Sequence, residues 1–206
     1  LVVYEQLLEH VEKNSILINI QSGFRQKHSC ESALQLTLCK IKNDTDNNKY
    51  VIGIFLNLKR AFETVDRKLL LAKIKQYGVG GRVYGWFEDY LQDRKQRVRF
   101  NEAVSNEINN DIGIPQGSVL GPLLFILYLN DIELFIDCEF INLFADDTFI
   151  ACSDVSLEKA IQQTNRILTA AAIYFTVNKL KLNIQKTKAV IFTTKYKYRM
   201  MDVTGI

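Results

Sequence analysis

Phe140-Ile141-Asn142-Leu143-Phe144-Ala145-Asp146-Asp147-Thr148-Phe149-Ile150-Ala151-Cys152 consists of two apolar runs joined by a short acidic break. Runs of this length, rich in aromatic and β-branched residues and separated by turn formers, read as the two strands of a β-hairpin. The turn falls at Ala145-Asp146-Asp147. Asp suits a turn because its carboxylate bonds the local backbone. Two adjacent carboxylates between Phe144 and Phe149 also repel each other unless a cation lies between them. Hard divalent cations favour such oxygen-rich surroundings.

Outward from the hairpin the pattern alternates. Downstream, Ser156 is positioned to cap a long helix through Ile161, Ile167 and Leu168, and Ala189-Val190-Ile191-Phe192 reads as a last strand. Upstream, Pro122 sits early in a very apolar helix that ends near Asn130-Asp131. Before it, Tyr50 to Leu58 is a strongly apolar strand. The order is strand, helix, two strands, helix, strand. This β-α-β-β-α-β arrangement predicts an α+β fold, an antiparallel sheet with the Pro122 and Ser156 helices on one face. Many functions use that fold, so function must be argued from the residues on its open face.

The remaining segments fill in around this frame. Asp66 is a good N-cap for a helix bearing Leu69, Leu70, Ile74 and Tyr77, closed by Gly78. A further helix carries Trp86, Phe87, Tyr90 and Leu91. Val98-Arg99-Phe100 and Asn109 to Ile114 are expected to be extended around a polar turn. At the N-terminal end, Tyr4, Leu7, Leu8 and Val11 have helical spacing. A loop with Gly23 follows, then a helix from Ser29 with Ala33, Leu34, Leu36, Thr37 and Ile41; Asn43 to Lys49 is polar and turn-like.

Composition narrows the class. The chain has 206 residues, 48% hydrophobic and 24% charged, enough for one compact domain or a domain with a subdomain. Its longest apolar run, Val119 to Leu129, is broken by Gly121 and Pro122 and is too short to span a bilayer. The start lacks the basic region of a signal peptide, and it lacks Met, so the chain is expected to be a piece of something longer. Cys30, Cys39, Cys138 and Cys152 form no C-x-x-C pair and are expected to be reduced, buried thiols of an intracellular protein rather than zinc ligands. Net charge is only +3, yet Arg94, Lys95, Arg97 and Arg99 cluster, as do Lys186, Lys188, Lys195, Lys197 and Arg199. Together these clusters permit a basic surface for a phosphate backbone.

Five segments, in order, resemble the motifs of non-LTR retrotransposon reverse transcriptases. Ser22-Gly23-Phe24-Arg25-Gln26-Lys27-His28-Ser29 resembles the upstream fingers motif, and Phe55-Leu56-Asn57-Leu58-Lys59-Arg60-Ala61-Phe62-Glu63-Thr64-Val65-Asp66 the first palm motif. Gly113 to Asp131 (GIPQGSVLGPLLFILYLND) resembles the second, and Phe144-Ala145-Asp146-Asp147 the Tyr/Phe-Ala-Asp-Asp box. Asn178-Lys179-Leu180-Lys181-Leu182-Asn183, with Lys186-Thr187-Lys188, is similar to the motif that follows. The resemblance spans about Gln21 to Thr193.

The resemblance implies a right-hand polymerase palm with partial fingers and the thumb absent. Residues 1–50 would be a fingers portion and 51–195 the palm, with a helical and β-hairpin insertion at about 67–112; 196–206 would be a tail toward the missing thumb. It implies an RNA-directed DNA polymerase, nuclear in an active element, working on an RNA template, a DNA primer and dNTPs with two Mg²⁺ ions ~4 Å apart. Asp146, Asp147 and residue 57 would be the ligands. Phe62 would lie beneath the incoming sugar, Gln116 and Gly117 against template and nucleotide, and Arg25 and Lys186 near triphosphate or backbone. Arg94, Lys95, Arg97 and Arg99 would bind nucleic acid.

The match fails at one position. The family has Asp where this chain has Asn57, and Tyr174 stands where the family often has Trp. An amide keeps a carbonyl oxygen but loses the charge that holds a hard cation. Glu63 and Asp66 lie past the strand end and are not expected to substitute. Two readings follow: a polymerase core whose activity is weakened by Asn57, or a catalytically dead relic or domesticated module of the same fold that binds RNA or protein.

Overall fold

The computed structural model describes residues 1–115 and 117–200. In chain order it contains α1 (Val2–Lys13), α2 (Cys30–Asp46), β1 (Tyr50–Leu56), β2 (Leu58–Lys59), α3 (Ala61–Thr64), α4 (Arg67–Gln76) and α5 (Gly81–Leu91). Four short strands follow, β3 (Lys95–Gln96), β4 (Arg99–Phe100), β5 (Ala103–Val104) and β6 (Ile108–Asn109), then α6 (Gly121–Tyr128). The hairpin strands β7 (Phe140–Phe144) and β8 (Asp147–Asp154) lead into α7 (Leu157–Val177), β9 (Lys181–Leu182), β10 (Lys188–Phe192) and α8 (Lys195–Met200).

The main sheet is antiparallel, in the order β10-β1-β8-β7. Its two faces separate by the alternation of side chains along each strand. On one face Ile54 and Leu56 of β1, with Ile150 and Cys152 of β8, join a single core with α6 residues Leu123 to Tyr128 and with Ile167, Ala171, Tyr174 and Phe175 of α7. Both predicted helices therefore cover the same face. On the other, Val51, Phe149 and Ala151 pack with Ile41 of α2 and with Phe140 and Phe192. Gly53 lies against the Phe149 and Phe192 rings, which a Cβ there would approach within 2.9 Å, so any larger residue would push them aside.

Local chemistry explains the helix starts. Ser29 and Ser32 form a reciprocal capping box at α2. Asp66 accepts the Leu69 N–H at 2.9 Å at the head of α4, and Ser156 caps α7. Pro122 occupies the first turn of α6, where its missing N–H costs nothing. α6 has no polar face because it is buried all round, between the sheet, α4 and α7.

One buried polar cluster ties α4, α6 and α7. The Lys73 ammonium, 8% exposed, donates to the Tyr128 carbonyl and to Asp131 Oδ1, both at 2.7 Å. The Tyr174 hydroxyl donates to the same Asp131 oxygen at 2.7 Å. Burial, then the charge of Asp131, pushes the Tyr174 phenol up. Tyr174 is thus a polar link as well as core.

Several expectations are corrected. Asn43 to Lys49 is not a turn throughout, since α2 runs to Asp46. Asp44 is buried, with the Lys40 ammonium at 3.0 Å and Lys49 at 3.8 Å, and these ion pairs hold the last turn in helix. The strand expected over Tyr50 to Leu58 breaks at Asn57, and Leu58-Lys59 pairs instead with Lys181-Leu182. Val98-Arg99-Phe100 and Asn109 to Ile114 are extended only in part, as β4 at Arg99–Phe100 and at Asn109 in β6. Arg99-Phe100 pairs with Ala103-Val104, and Lys95-Gln96 with Ile108-Asn109, while Ile112 makes a lone bridge to Asp66. The thiols are not all buried: Cys30 and Cys39 are exposed on α2, Cys138 is half-buried and Cys152 buried.

Candidate active site

The turn between β7 and β8 depends on a residue in the left-handed region, Ala145, at φ 57°. A non-glycine there is uncommon and needs support. That support comes from the N-terminal segment. Gln21, 1% exposed, accepts the N–H groups of Ala145 (3.0 Å) and Gly23 (2.7 Å) at Oε1, and donates from Nε2 to the Ala145 carbonyl at 3.3 Å. Ser22 donates to the Leu143 carbonyl, and Leu143 to that of Ile20, both at 2.8 Å. Gly23 lies so close that a Cβ on it would stand 2.1 Å from the Ala145 nitrogen. Gly23→Ala must therefore shift the acidic turn. Overpacking against backbone should destabilise by about 1–3 kcal/mol. Thermal denaturation checks this, and an unchanged midpoint would show that the turn is not clamped.

Asp146, half-buried, follows Ala145, and Asp147 is exposed at the first position of β8. Burial, then the charge of Asp147, raises the pKa of Asp146. β1 pairs with β8 to the last residue, Leu56 opposite Thr148. The next position on β1 is Asn57 and the next on β8 is Asp147, so the three predicted ligand positions share one end of the sheet. The Asn57 carbonyl accepts the Asn183 N–H at 2.7 Å, and the Asn57 N–H donates to Thr187 Oγ1 at 3.4 Å. These bonds hold the turn bearing the exposed Lys186 beside Asn57.

Phe62 stacks on Phe125, with centroids 4.3 Å apart, and takes Phe24 edge-on at 6.2 Å. The Gly113–Ser118 loop has both glycines left-handed, Gly113 at φ 79° and Gly117 at φ 74°. Gly113 also packs on Glu63, where a Cβ would come within 2.6 Å of backbone oxygen, whereas Gly117 is exposed with open space above it. Gln116 lies outside the described residues. The Arg25 guanidinium donates to the Ile18 carbonyl at 2.8 Å and that of Gln21 at 3.2 Å.

The basic cluster divides. Lys95 and Arg97 both pair with Glu107, at 2.7 and 2.5 Å. Arg94 lies instead 5.5 Å from the Tyr90 ring centre, and Arg99 is exposed on β4. Sequence reasoning missed Gln21 and Arg67. No local signal marks either one, since their partners lie 24 or more residues away or in a turn whose backbone conformation is set by the fold.

The donor set is two carboxylates and one amide. Among the described residues no group of three His, Cys, Asp or Glu is placed to hold a metal ion. Two hard cations sharing a site need more anionic oxygen than this. The residues present do not fit a two-ion centre.

Comparison with known proteins places this geometry. The family model described as "Reverse transcriptase (RNA-dependent DNA polymerase)" matches residues 2–204. The chain is 36% identical over 126 residues to "Probable RNA-directed DNA polymerase from transposon X-element" of Drosophila melanogaster, covering 61% of this chain and 14% of that protein. It is 29% identical over 204 residues to "Probable RNA-directed DNA polymerase from transposon BS" of the same fly, covering 94% and 22%. It thus spans less than a quarter of the length of either relative. In fold it is similar to apo telomerase from Candida tropicalis truncated from its C-terminal domain, with a TM-score of 0.66 at 12% identity over 93% of this chain and 40% of that one. The chain belongs to the reverse transcriptase family, of the non-LTR retrotransposon type.

Proposed function

We propose that this chain is the fingers-and-palm portion of an RNA-directed DNA polymerase that keeps the frame for gripping template and primer but carries a metal site one carboxylate short. The observation that carries the reading is the register at the sheet end, where the residue beside the Asp146-Asp147 turn is Asn57. The chain also keeps both carboxylates of the turn, the Phe62 stack and the glycine-rich loop before α6. Template RNA, primer, dNTPs and Mg²⁺ are the partners such a frame serves.

Binding and chemistry rest on different residues, so they separate by experiment. Binding is electrostatic and does not need residue 57. A fluorescein-labelled single-stranded RNA should bind at low salt, with log affinity falling against log salt by roughly 0.7 for each phosphate contacted. Extension of a primer by dNTPs with Mg²⁺ should be very weak in the same preparation. Absence of RNA binding at low salt would overturn the reading, because the basic clusters would then be only a solvated surface.

A further inference from the structure

Outside the acidic turn, the described surface holds a cavity of about 570 Å³ between α3, α4 and the β3–β6 insertion. Neither Asn57, Asp146 nor Asp147 lines it. Its charged lining is Arg60, Arg67, Arg94 and Lys95 against the one carboxylate of Glu63. Lys95 is partly neutralised by Glu107 and Arg60 reaches Glu63 at 3.5 Å.

Arg67 differs from the others because it is only 6% exposed. It donates from Nε to the Gly113 carbonyl at 2.7 Å, from Nη1 to those of Leu91 (2.9 Å) and Asn110, and from Nη2 to that of Ile112 at 3.0 Å. All four acceptors are neutral. The guanidinium is hydrogen-bonded and makes no salt bridge, so its charge is offset only at longer range, by Asp111. A fixed, desolvated positive charge at a cavity wall favours an anion far more than a solvated lysine does. Four of its five N–H groups are committed to carbonyls, so Arg67 acts on an anion in the cavity chiefly through its charge, and direct contacts fall to Arg60 and Arg94.

A second, independent feature joins the cavity at Arg94. Along α5 the rings of Trp86 and Tyr90 are stacked, centroids 5.2 Å apart and planes 10° from parallel. The Arg94 guanidinium also lies over the Tyr90 ring, 5.5 Å from its centre. Trp86 is 40% exposed. A flat aromatic face beside a cationic pocket is the surface that single-stranded nucleic acid recognises, base on ring and phosphate on cation.

We infer that the Arg60–Arg67–Arg94 cavity and the Trp86–Tyr90 stack form one binding site for single-stranded RNA, seating a backbone phosphate in the cavity and a neighbouring base on Trp86. This rests on the proposed nucleic-acid-binding function and adds a subsite away from the acidic turn. Single strands are required because bases in a duplex are covered by their neighbours.

The chain has one tryptophan, so its own fluorescence reads the site. Short oligoadenylate should quench Trp86 emission on titration at low salt. Arg94→Ala should weaken binding of fluorescein-labelled oligoadenylate, followed by anisotropy, roughly tenfold. Trp86→Ala should do the same, and Arg166→Ala, on a distant exposed pair, should change it by less than about twofold. Circular dichroism verifies that each variant is folded, and quenching in the unsubstituted chain stands without any variant. If oligoadenylate binds without quenching Trp86 and with Arg94→Ala unaffected, this site is overturned while the RNA-binding frame stands. If duplex RNA quenches equally, or only dATP quenches, base stacking by a single strand is overturned. If no RNA binds at all, both readings fall together.

Discussion

Asn57→Asp is expected to raise primer extension by ~10²–10⁴-fold, with little change in RNA affinity. The chain and its variant should be compared on the same primer and template with dNTPs and Mg²⁺, then Mn²⁺, each joined to a thumb. The argument is one of charge. Asp146 and Asp147 supply two carboxylates at the sheet end, and Asn57 occupies the adjoining register position with an amide. Restoring a carboxylate there completes a three-acid donor set for hard cations. The same change carries a cost that makes it measurable without activity. Burial and Asp147 already disfavour the Asp146 charge, and a third carboxylate adds like-charge repulsion. Asn57→Asp should therefore melt at a lower temperature than the unsubstituted chain in EDTA and gain more from added Mg²⁺, because ligand binding to the folded state alone stabilises it. Asp146→Asn placed on top of Asn57→Asp should remove the gain in rate. If the unsubstituted chain extends as fast as Asn57→Asp, the account of the lost charge is wrong.

Asp131→Ala is expected to be strongly destabilising although Asp131 lies outside the apolar core and away from the turn. It would leave the Lys73 ammonium, 10% exposed as a side chain, facing only the Tyr128 carbonyl and the Tyr128 and Tyr174 rings. It would also strand the Tyr174 hydroxyl. Breaking a buried pair by removing one partner costs about 3–5 kcal/mol; Asp131 keeps some solvent access, which points to the lower figure. For a chain of this size that is a fall of roughly 10 °C in melting temperature. Replacing Asp137, whose pairing with Arg166 is exposed on both sides, should leave the melt nearly unchanged. A small effect from Asp131→Ala would mean that Lys73 finds water or another acceptor.

The hairpin, the sheet and the covering helices were legible in the sequence because each rests on local signals. Phe140 to Cys152 is two apolar runs about an acidic break, Ser29, Asp66 and Ser156 are caps, and Pro122 marks a helix start. What stayed hidden depends on partners distant in the chain. The α2 C-terminus reads as a turn until Asp44 is seen buried between two lysines. Lys95 and Arg97 read as free cations until Glu107 arrives from the facing strand. Arg67 carries no local signal, yet it collects four carbonyls from the insertion and the glycine loop. At the candidate site the residue types were legible, and so was the departure at Asn57. The clamp by Gln21 was not, because its reason is the left-handed backbone of Ala145.

The order of the main sheet gives its two margins different fates. Beyond β7 the segment at Ile20–Ser22 lies across Leu143 and occupies its backbone groups. Beyond β10, the terminal strand on the other side, no described strand follows, and Ala189 and Val190 are exposed. An uncovered margin with apolar side chains is a template for adding another strand, and charged residues along it are the usual deterrent. Lys188, at the start of β10, is the charge at this margin. Among the described residues, the margin open to strand addition therefore lies on the side away from the acidic turn's brace, and Lys188 is the charge along its strand.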